Sequence, residues 1–167
     1  MMKKIITLFI LGLALNAKAQ IPQPDPDTTA RHFLTVASIG NLQEISAGEI
    51  AVQKAAKPEV KAFGNMMIMH HREAQNNLLA VTKLRGIDLP APATGGIQPD
   101  PMLKNAGVVF DRLYVHAMVA AHHNTVQTFE NYAVTGKDPE VRKFAQQTLP
   151  NLKKHLAEIK VIEGNLK

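Results

Sequence analysis

Four long stretches of the sequence place apolar residues three and four positions apart, which is the pattern of a helix buried on one face. The pattern predicts helices over residues 28–55, 58–85, 106–135 and 138–164. The alternation of β-branched and polar residues that is typical of strands is missing from the sequence. The fold class is therefore predicted to be all-α.

Proline and glycine mark the breaks between these helices. The stretch "IPQPDPDTT" precedes the first helix, and "RGIDLPAPATGGIQPDP" separates the second from the third. Pro58 and Pro139 each fit the first turn of a new helix, where a missing backbone N–H is harmless. The chain is therefore predicted to form two helical hairpins that are joined by a long Pro/Gly-rich connection.

The two hairpins also resemble each other in sequence. A shift of 81 residues places "PEVKAF" (58–63) on "PEVRKF" (139–144) and Glu49 on Glu130. Two like hairpins favour an up-down-up-down four-helix bundle, in which both hairpin turns lie at the same end.

Each of the four apolar stripes includes one side chain that can bind a metal. These residues are Glu44, His71, His122 and His155, in order from the first helix to the fourth. Glu44 and His71 are equally far from the first turn, and the other two are equally far from the second turn. At about 1.5 Å of rise per residue, the two pairs differ in height by only ~4.5 Å. Four ligands from four helices are therefore predicted to meet at one level of the core.

Three imidazoles and one carboxylate suit one transition-metal ion, and Zn²⁺, Fe, Mn and Cu all accept this set. Met67 and Met118 each precede a predicted ligand by four residues. Thioether sulfur near imidazole favours copper, whereas methionine also fills gaps in ordinary cores. The alternative interpretation is a metal-free Glu–His hydrogen-bond network that satisfies the buried groups without an ion.

Other polar residues are predicted to play lesser roles. His70 lies at the edge of the second stripe and is at most an auxiliary ligand or a partner of one. His116, His123 and Glu130 recur at heptad spacing on the flank of the third helix, which indicates a helix–helix seam or an exposed column. Pro150 is expected to kink the fourth helix.

The beginning of the chain has the composition of a secretory signal peptide. Lys3 and Lys4 precede an apolar run that ends before a small-x-small cleavage site. The predicted organisation is a signal peptide (1–19), a linker (20–27) and a bundle domain (28–167). The apolar run is too short to span a bilayer comfortably, and no membrane-spanning helix follows it. We therefore expect a periplasmic or otherwise exported protein.

Charge and composition exclude further classes of function. Signal removal takes away three lysines and no acidic residue, so the formal net charge falls from +5 to +2. The sequence has no Trp and no block of basic residues beside aromatic ones, so nucleic-acid binding has no support. It also has no Cys, and therefore no disulfide supports the fold.

Three stretches together resemble domain-of-unknown-function family 4142, namely "VASIGNLQEISAGEIAVQ", "FDRLYVHAMVAAHHNTVQTFENYA" and "DPEVRKFAQQTLPNLKKHL". The resemblance covers about residues 29–163 and implies a ferritin-like four-helix bundle. It also implies a bacterial exported protein, of a kind often labelled an outer membrane protein. The positions that match the family's pattern are Glu44, His71, His122, Glu130 and His155. Where the family commonly has an acidic residue, this chain has His70.

A shorter stretch, "MIMHHREA", is similar to the paired-histidine motif of another exported four-helix family that is associated with copper. Ferritin-like di-iron proteins use Glu-x-x-His motifs on two helices, and this chain has none at the level of the predicted ligands. Ferroxidase or oxygenase chemistry is therefore not predicted. Three hypotheses stand: a metal-binding protein, a non-catalytic envelope module, and an enzyme that uses the metal at an open coordination position.

Overall fold

The computed structural model describes residues 28–90, 97–98 and 100–166. The predicted signal peptide (1–19) and linker (20–27) lie outside these residues. The helices are α1 (Thr28–Lys54), α2 (Pro58–Arg85), α3 (Pro101–Lys104), α4 (Phe110–Thr135) and α5 (Pro139–Asn165), with a 3₁₀ turn at Gly107–Val109. No strand occurs in the described ranges, so the all-α prediction is confirmed. None of the described helices combines the length and the apolar character that crossing a membrane requires.

The helix ends follow the chemistry of the residues found there. Proline occupies the first turn of both α2 and α5. The Asp138 carboxylate accepts hydrogen bonds from two backbone N–H groups in the first turn of α5. Gly86 ends α2 with a φ of 61°, a left-handed conformation that glycine adopts without strain. The helix α5 continues through Pro150 and does not end there.

The direction of the second hairpin differs from the prediction. Asp111, at the start of α4, accepts hydrogen bonds from the backbone N–H groups of Ala56 and Lys57 in the α1–α2 turn. Arg85, at the end of α2, pairs with Asp138 in the α4–α5 turn at 2.6 Å. The two turns therefore lie at opposite ends, and the helices run up-down-down-up rather than up-down-up-down. This order, with one long crossover, is that of ferritin-like bundles.

The crossover is possible because the connection between the hairpins is long. A helix of 27 residues, such as α1, is ~40 Å in length. The 15 residues that precede α3, 86–100, have a maximum reach of about 50 Å, which exceeds the length of the helix. The Lys54 ammonium donates to the carbonyl oxygen of Lys104 at 2.7 Å and fastens the far end of the connection to α1. Because each predicted ligand lies near the middle of its helix, the reversed hairpin still brings the four to one level.

The core consists of two apolar clusters with a polar layer between them. We call the end at which α1 meets α2 the upper end. The lower cluster includes the contacting rings of Phe33, Phe129, Tyr132 and Phe144. The upper cluster includes Phe63, Phe110 and Tyr114. On every long helix, the polar residues of this layer lie between the positions that enter the two clusters, and they are Asn41, Glu44, His71, His122 and His155.

The close packing of α1 against α2 can be tested at Gly48. A Cβ atom added there would lie 2.7 Å from the carbonyl oxygen of Gly64 and 3.0 Å from the side chain of Ile68. We expect Gly48→Ala to push the helices apart and to lower the free energy of unfolding by ~1–3 kcal/mol. Gly40→Ala is the matched control, because a Cβ at Gly40 meets nothing within 4 Å and alanine favours helix by up to ~1 kcal/mol. Urea unfolding measures both, and equal effects would contradict the close approach.

Candidate metal centre

Three histidines from three helices meet in the polar layer. His71 of α2, His122 of α4 and His155 of α5 are only 3%, 1% and 2% exposed. One ring nitrogen of each lies within 4.8 Å of one ring nitrogen of each other histidine. The ring centroids are 5.4–5.7 Å apart. Three buried imidazoles at these distances can hold a metal ion.

A chain of side-chain hydrogen bonds orients His71. Its Nδ1–H donates to Oδ1 of Asn41 at 2.9 Å. The Asn41 amide donates to Oε1 of Gln75 at 3.2 Å, and the Gln75 amide donates to Oγ of Ser38 at 2.9 Å. An amide oxygen only accepts, so the proton of neutral His71 lies on Nδ1 and the lone pair on Nε2. This buried Nε2 has no hydrogen-bond partner among the described residues.

The backbone of α4 orients His122 in the same way. Its Nδ1–H donates to the carbonyl oxygen of Met118, one turn earlier, at 3.0 Å. Nε2 of His122 is then the nitrogen with the lone pair, and nothing in the described part of the chain hydrogen-bonds to it. Hydrogen bonds of this kind fix the tautomer and the ring orientation of metal-binding histidines.

His155 contacts a fourth histidine. Its Nε2 lies 2.7 Å from Nδ1 of half-buried His70, and the two rings stack with their centroids 5.0 Å apart. Nδ1 of His155 is buried, and no described residue hydrogen-bonds to it. With its proton on Nε2, neutral His155 donates to His70 and has its lone pair on Nδ1. His70 is thus a hydrogen-bond partner of a predicted ligand.

The chemistry of these three nitrogens fits a transition-metal ion. A buried polar atom without a partner costs ~1–3 kcal/mol, and a metal ion that bonded to Nε2 of His71, Nε2 of His122 and Nδ1 of His155 would satisfy all three. Nitrogens that bond one Zn²⁺ at ~2.1 Å lie ~3.3 Å apart in a tetrahedron. Ring nitrogens that lie within 4.8 Å of one another therefore need to approach by ~1.5 Å at most. Neutral imidazole is also the form that binds metals.

Glu44, the fourth predicted ligand, is buried beside His122 but lies outside this group of three. Its Oε1 is 3.8 Å from Nδ1 of His122, the nitrogen that bonds to the backbone of α4. Burial raises the pKa of Glu44 to about 8, so the carboxyl group is protonated at neutral pH. Burial, and then the charge of Glu44, raise the pKa of buried Tyr114. The structure therefore brings three of the four predicted ligands together and places the fourth behind His122.

No other His or Glu candidate among the described residues belongs to this group of three. Glu130 forms an ion pair with a lysine of α5, and His116 contacts a glutamate of α5, so both belong to the α4–α5 seam. His123 is exposed. Met67 and Met118 are buried in the upper apolar cluster.

Sequence reasoning missed Asn41 and Gln75. Asn41 lies one turn before Glu44 on the buried face of α1, and Gln75 lies one turn after His71 on α2. The signal that could have found them is helical spacing, because residues one turn from a ligand share its face.

The family model described as "Domain of unknown function (DUF4142)" matches residues 15–162 of the chain. A comparison with curated proteins finds no match. Among solved structures, a DUF305 fragment from Deinococcus radiodurans has a TM-score of 0.73 and 15% identity, covering 86% of this chain and 100% of that chain.

Two structures of CopM are also similar. The Cu(I)-bound form has a TM-score of 0.69 and 20% identity, covering 81% of this chain and 96% of that chain. The Cu(II)-bound form has a TM-score of 0.68 and 19% identity, covering 83% and 97%. At these identities the likeness shows that the chains share a helical-bundle fold.

Acid is expected to destabilise the metal-free protein. Burial, reinforced by the charges of neighbouring histidines, lowers the pKa of His71 to about 3 and that of His155 to about 2. Burial also lowers the pKa of His122. Unfolded histidines titrate near 6.5, so from pH 6.5 down to about 3 the unfolded state binds more protons and stability falls. Each histidine contributes at most ~1.4 kcal/mol per pH unit.

Glu44 has the opposite effect on the pH dependence of stability. Because its pKa is raised in the folded state, its contribution to the free energy of unfolding falls as the pH rises from 4.5 to about 8. Stability should therefore be greatest near pH 6.5, where the two trends meet. Urea unfolding of the metal-free protein at pH 5, 6.5 and 8 measures both slopes. His123→Gln, at an exposed position, should leave the profile unchanged. A wild-type profile that is flat below pH 6.5 would contradict the burial of neutral histidines.

Proposed function

The chain belongs to the family described as "Domain of unknown function (DUF4142)", and we propose that it binds one transition-metal ion through His71, His122 and His155. The observation that carries this proposal is the meeting of three buried neutral imidazoles, each with a nitrogen that lacks a partner among the described residues. The hydrogen bonds on the opposite nitrogens support it, because they hold the lone pairs of His71 and His122 on Nε2.

Copper is the metal that we propose to test first. Imidazole binds Cu(II) more tightly than the other divalent ions of its row. The similar CopM structures are named as Cu(I)-bound and Cu(II)-bound forms of that protein. Zn²⁺, Fe and Mn accept the same donors, so the ligand set by itself leaves the metal open.

Glu44 is proposed as the fourth ligand. A divalent cation favours the ionised carboxylate and so opposes the effect of burial on its pKa. Coordination requires the side chain to turn from Nδ1 of His122, which it approaches at 3.8 Å, toward the point that the three histidines share. Before that movement the fourth coordination position is open.

The second hypothesis is a non-catalytic envelope module with a metal-free Glu–His network. Such a network must satisfy its own buried groups. The His71–Asn41 and His155–His70 bonds do so in part. Each of the three histidines and Glu44, however, has a buried polar atom without a partner among the described residues. This favours the metal-binding function.

The proposed place of action is the periplasm. The signal-like composition of residues 1–19 supports export, and the family's common labelling is the support for contact with the outer membrane. In that compartment the protein would handle metal ions or protect the envelope from metal stress.

Metal analysis tests the proposed function directly. Protein purified without a His-tag is expected to retain one equivalent of Cu²⁺ after dialysis, and a chelator should then lower its melting temperature. The double variant His71→Ala/His122→Ala should retain none, because it loses two of the three donors. His123→Ala removes an exposed histidine and should bind as the wild type does.

In the same assay, weaker binding by Glu44→Gln would identify its carboxylate as a ligand. A wild-type protein that retains no metal after addition of Cu²⁺, Zn²⁺ or Fe²⁺ would refute the proposed function. A melting temperature that a chelator leaves unchanged would favour the metal-free module.

The support of His71 by Asn41 gives a separate prediction. Asn41→Leu removes the oxygen that accepts from Nδ1–H of His71, so the ring can turn or change tautomer. We expect the affinity for Cu²⁺ to fall about 10–100-fold, as for other losses of such hydrogen bonds. Ser38→Ala, at the far end of the same chain, should have a smaller effect. Competition with a chelator of known affinity measures both, and equal affinities would show that Asn41 does not orient the ligand.

A further inference from the structure

The two sides of the histidine layer differ in how they are covered. A groove of about 340 Å³ lies between α2 and α5, and its lining includes His70, His71 and His155. On the other side, between α1 and α4, Glu44 lines a separate cavity with Gln98 and Leu103 of the crossover connection. None of the three histidines lines that second cavity. The groove between α2 and α5 is therefore the side from which an ion can reach the ligands.

The walls of this groove suit a cation. Besides the histidines they present the carboxylates of Glu73 and Glu140, against the single ammonium group of Lys143. Amide side chains of Asn77 and Asn151 add further polar oxygens. His70 is half-buried and lines the same groove, so solvent ions can reach its ring.

We propose that His70 is a second, transient metal ligand that takes an ion from this groove and passes it to the three-histidine site through His155. The proposal rests on the proposed function of that site. In this proposal His70 takes up the ion. The hydrogen bond between His70 and His155 by itself indicates only that His70 positions His155.

His155 is the residue that the two sites share. Its Nε2 lies 2.7 Å from Nδ1 of His70, and its Nδ1 is the buried nitrogen that no described residue hydrogen-bonds. Two nitrogens that bond one ion at ~2.1 Å lie about 3.0–3.4 Å apart, so the hydrogen-bonded nitrogens of His70 and His155, at 2.7 Å, need to separate by less than ~1 Å to share an ion. A neutral imidazole has one nitrogen with a free lone pair, so His155 can bind an ion in the groove or in the three-histidine site, but not in both at once.

The transfer exchanges the proton and the ion on the ring of His155. In the groove, the ion bonds to Nδ1 of His70 and Nε2 of His155, and the proton of His155 is on Nδ1. When the ion moves inward, its bonds to Nδ1 of His70 and Nε2 of His155 break, and bonds to Nδ1 of His155 and to His71 and His122 form. Solvent water takes the proton from Nδ1 of His155 and returns one to Nε2. Nε2–H then donates to His70, which is the hydrogen bond seen in the structure. Charge and atoms balance, with water as the carrier of the proton.

Exchange kinetics distinguish this transfer from a positioning role. An uptake ligand lowers the barrier in both directions, so its removal slows loading and release together. The dissociation constant stays almost unchanged where the variant still accepts the hydrogen bond of His155. We expect His70→Ala to slow transfer of Cu²⁺ from and to a chromophoric chelator by about tenfold or more in each direction, in a stopped-flow experiment. His123→Ala, on the exposed surface of α4, should show wild-type rates.

His70→Gln sharpens the test, because its amide oxygen can still accept from Nε2–H of His155 but binds copper weakly. Slow exchange in this variant supports the uptake role. Wild-type rates in both variants, or faster release with unchanged loading, would overturn it. A wild-type protein that takes up no metal would refute the proposed function itself, whereas normal binding with unchanged rates would refute only the transfer. Circular dichroism shows that the variants are folded.

Discussion

The burial of a polar layer in the middle of an apolar bundle is the constraint on which the rest of this structure depends. Folding removes three neutral imidazoles and a carboxyl group from water in this layer. Each of these groups whose hydrogen bonds are incomplete lowers the free energy of unfolding. The apolar clusters above and below supply the burial that offsets this cost. The bundle remains stable because the polar layer is only one or two helical turns thick.

The three histidines meet this constraint by three different means. A side chain of a neighbouring helix holds His71, the backbone of its own helix holds His122, and a second imidazole holds His155. The first two leave the ring one available tautomer, because their partners only accept. The third partner can donate or accept, so His155 has two available tautomers. The layer thus combines two histidines of fixed tautomer with a third histidine that can adopt either tautomer.

Helical periodicity was enough to predict the four long helices and the four titratable residues of the layer, because one metal-capable side chain lies in each apolar stripe. It did not single out Asn41, which shares the buried face of α1 with Glu44. It could not predict the direction of the second hairpin, which depends on contacts such as Asp111 with the first turn and Arg85 with Asp138. The prediction that the four titratable residues lie at one height in the core did not depend on that direction, because each lies near the middle of its helix. The placement of Glu44 behind His122 depends on side-chain torsions, which a sequence pattern does not contain.

The polar layer also determines how far the helices can slide along one another. A shift of α5 by one turn, ~5.4 Å, would move His155 into an apolar cluster and bring Leu152 or Ile159 into contact with imidazole nitrogens. Apolar side chains alone tolerate such shifts, since one aliphatic contact can replace another. Buried polar residues do not, because each needs its own partner. The histidine layer therefore sets the axial register of the bundle, while the contacts at the helix ends set its direction.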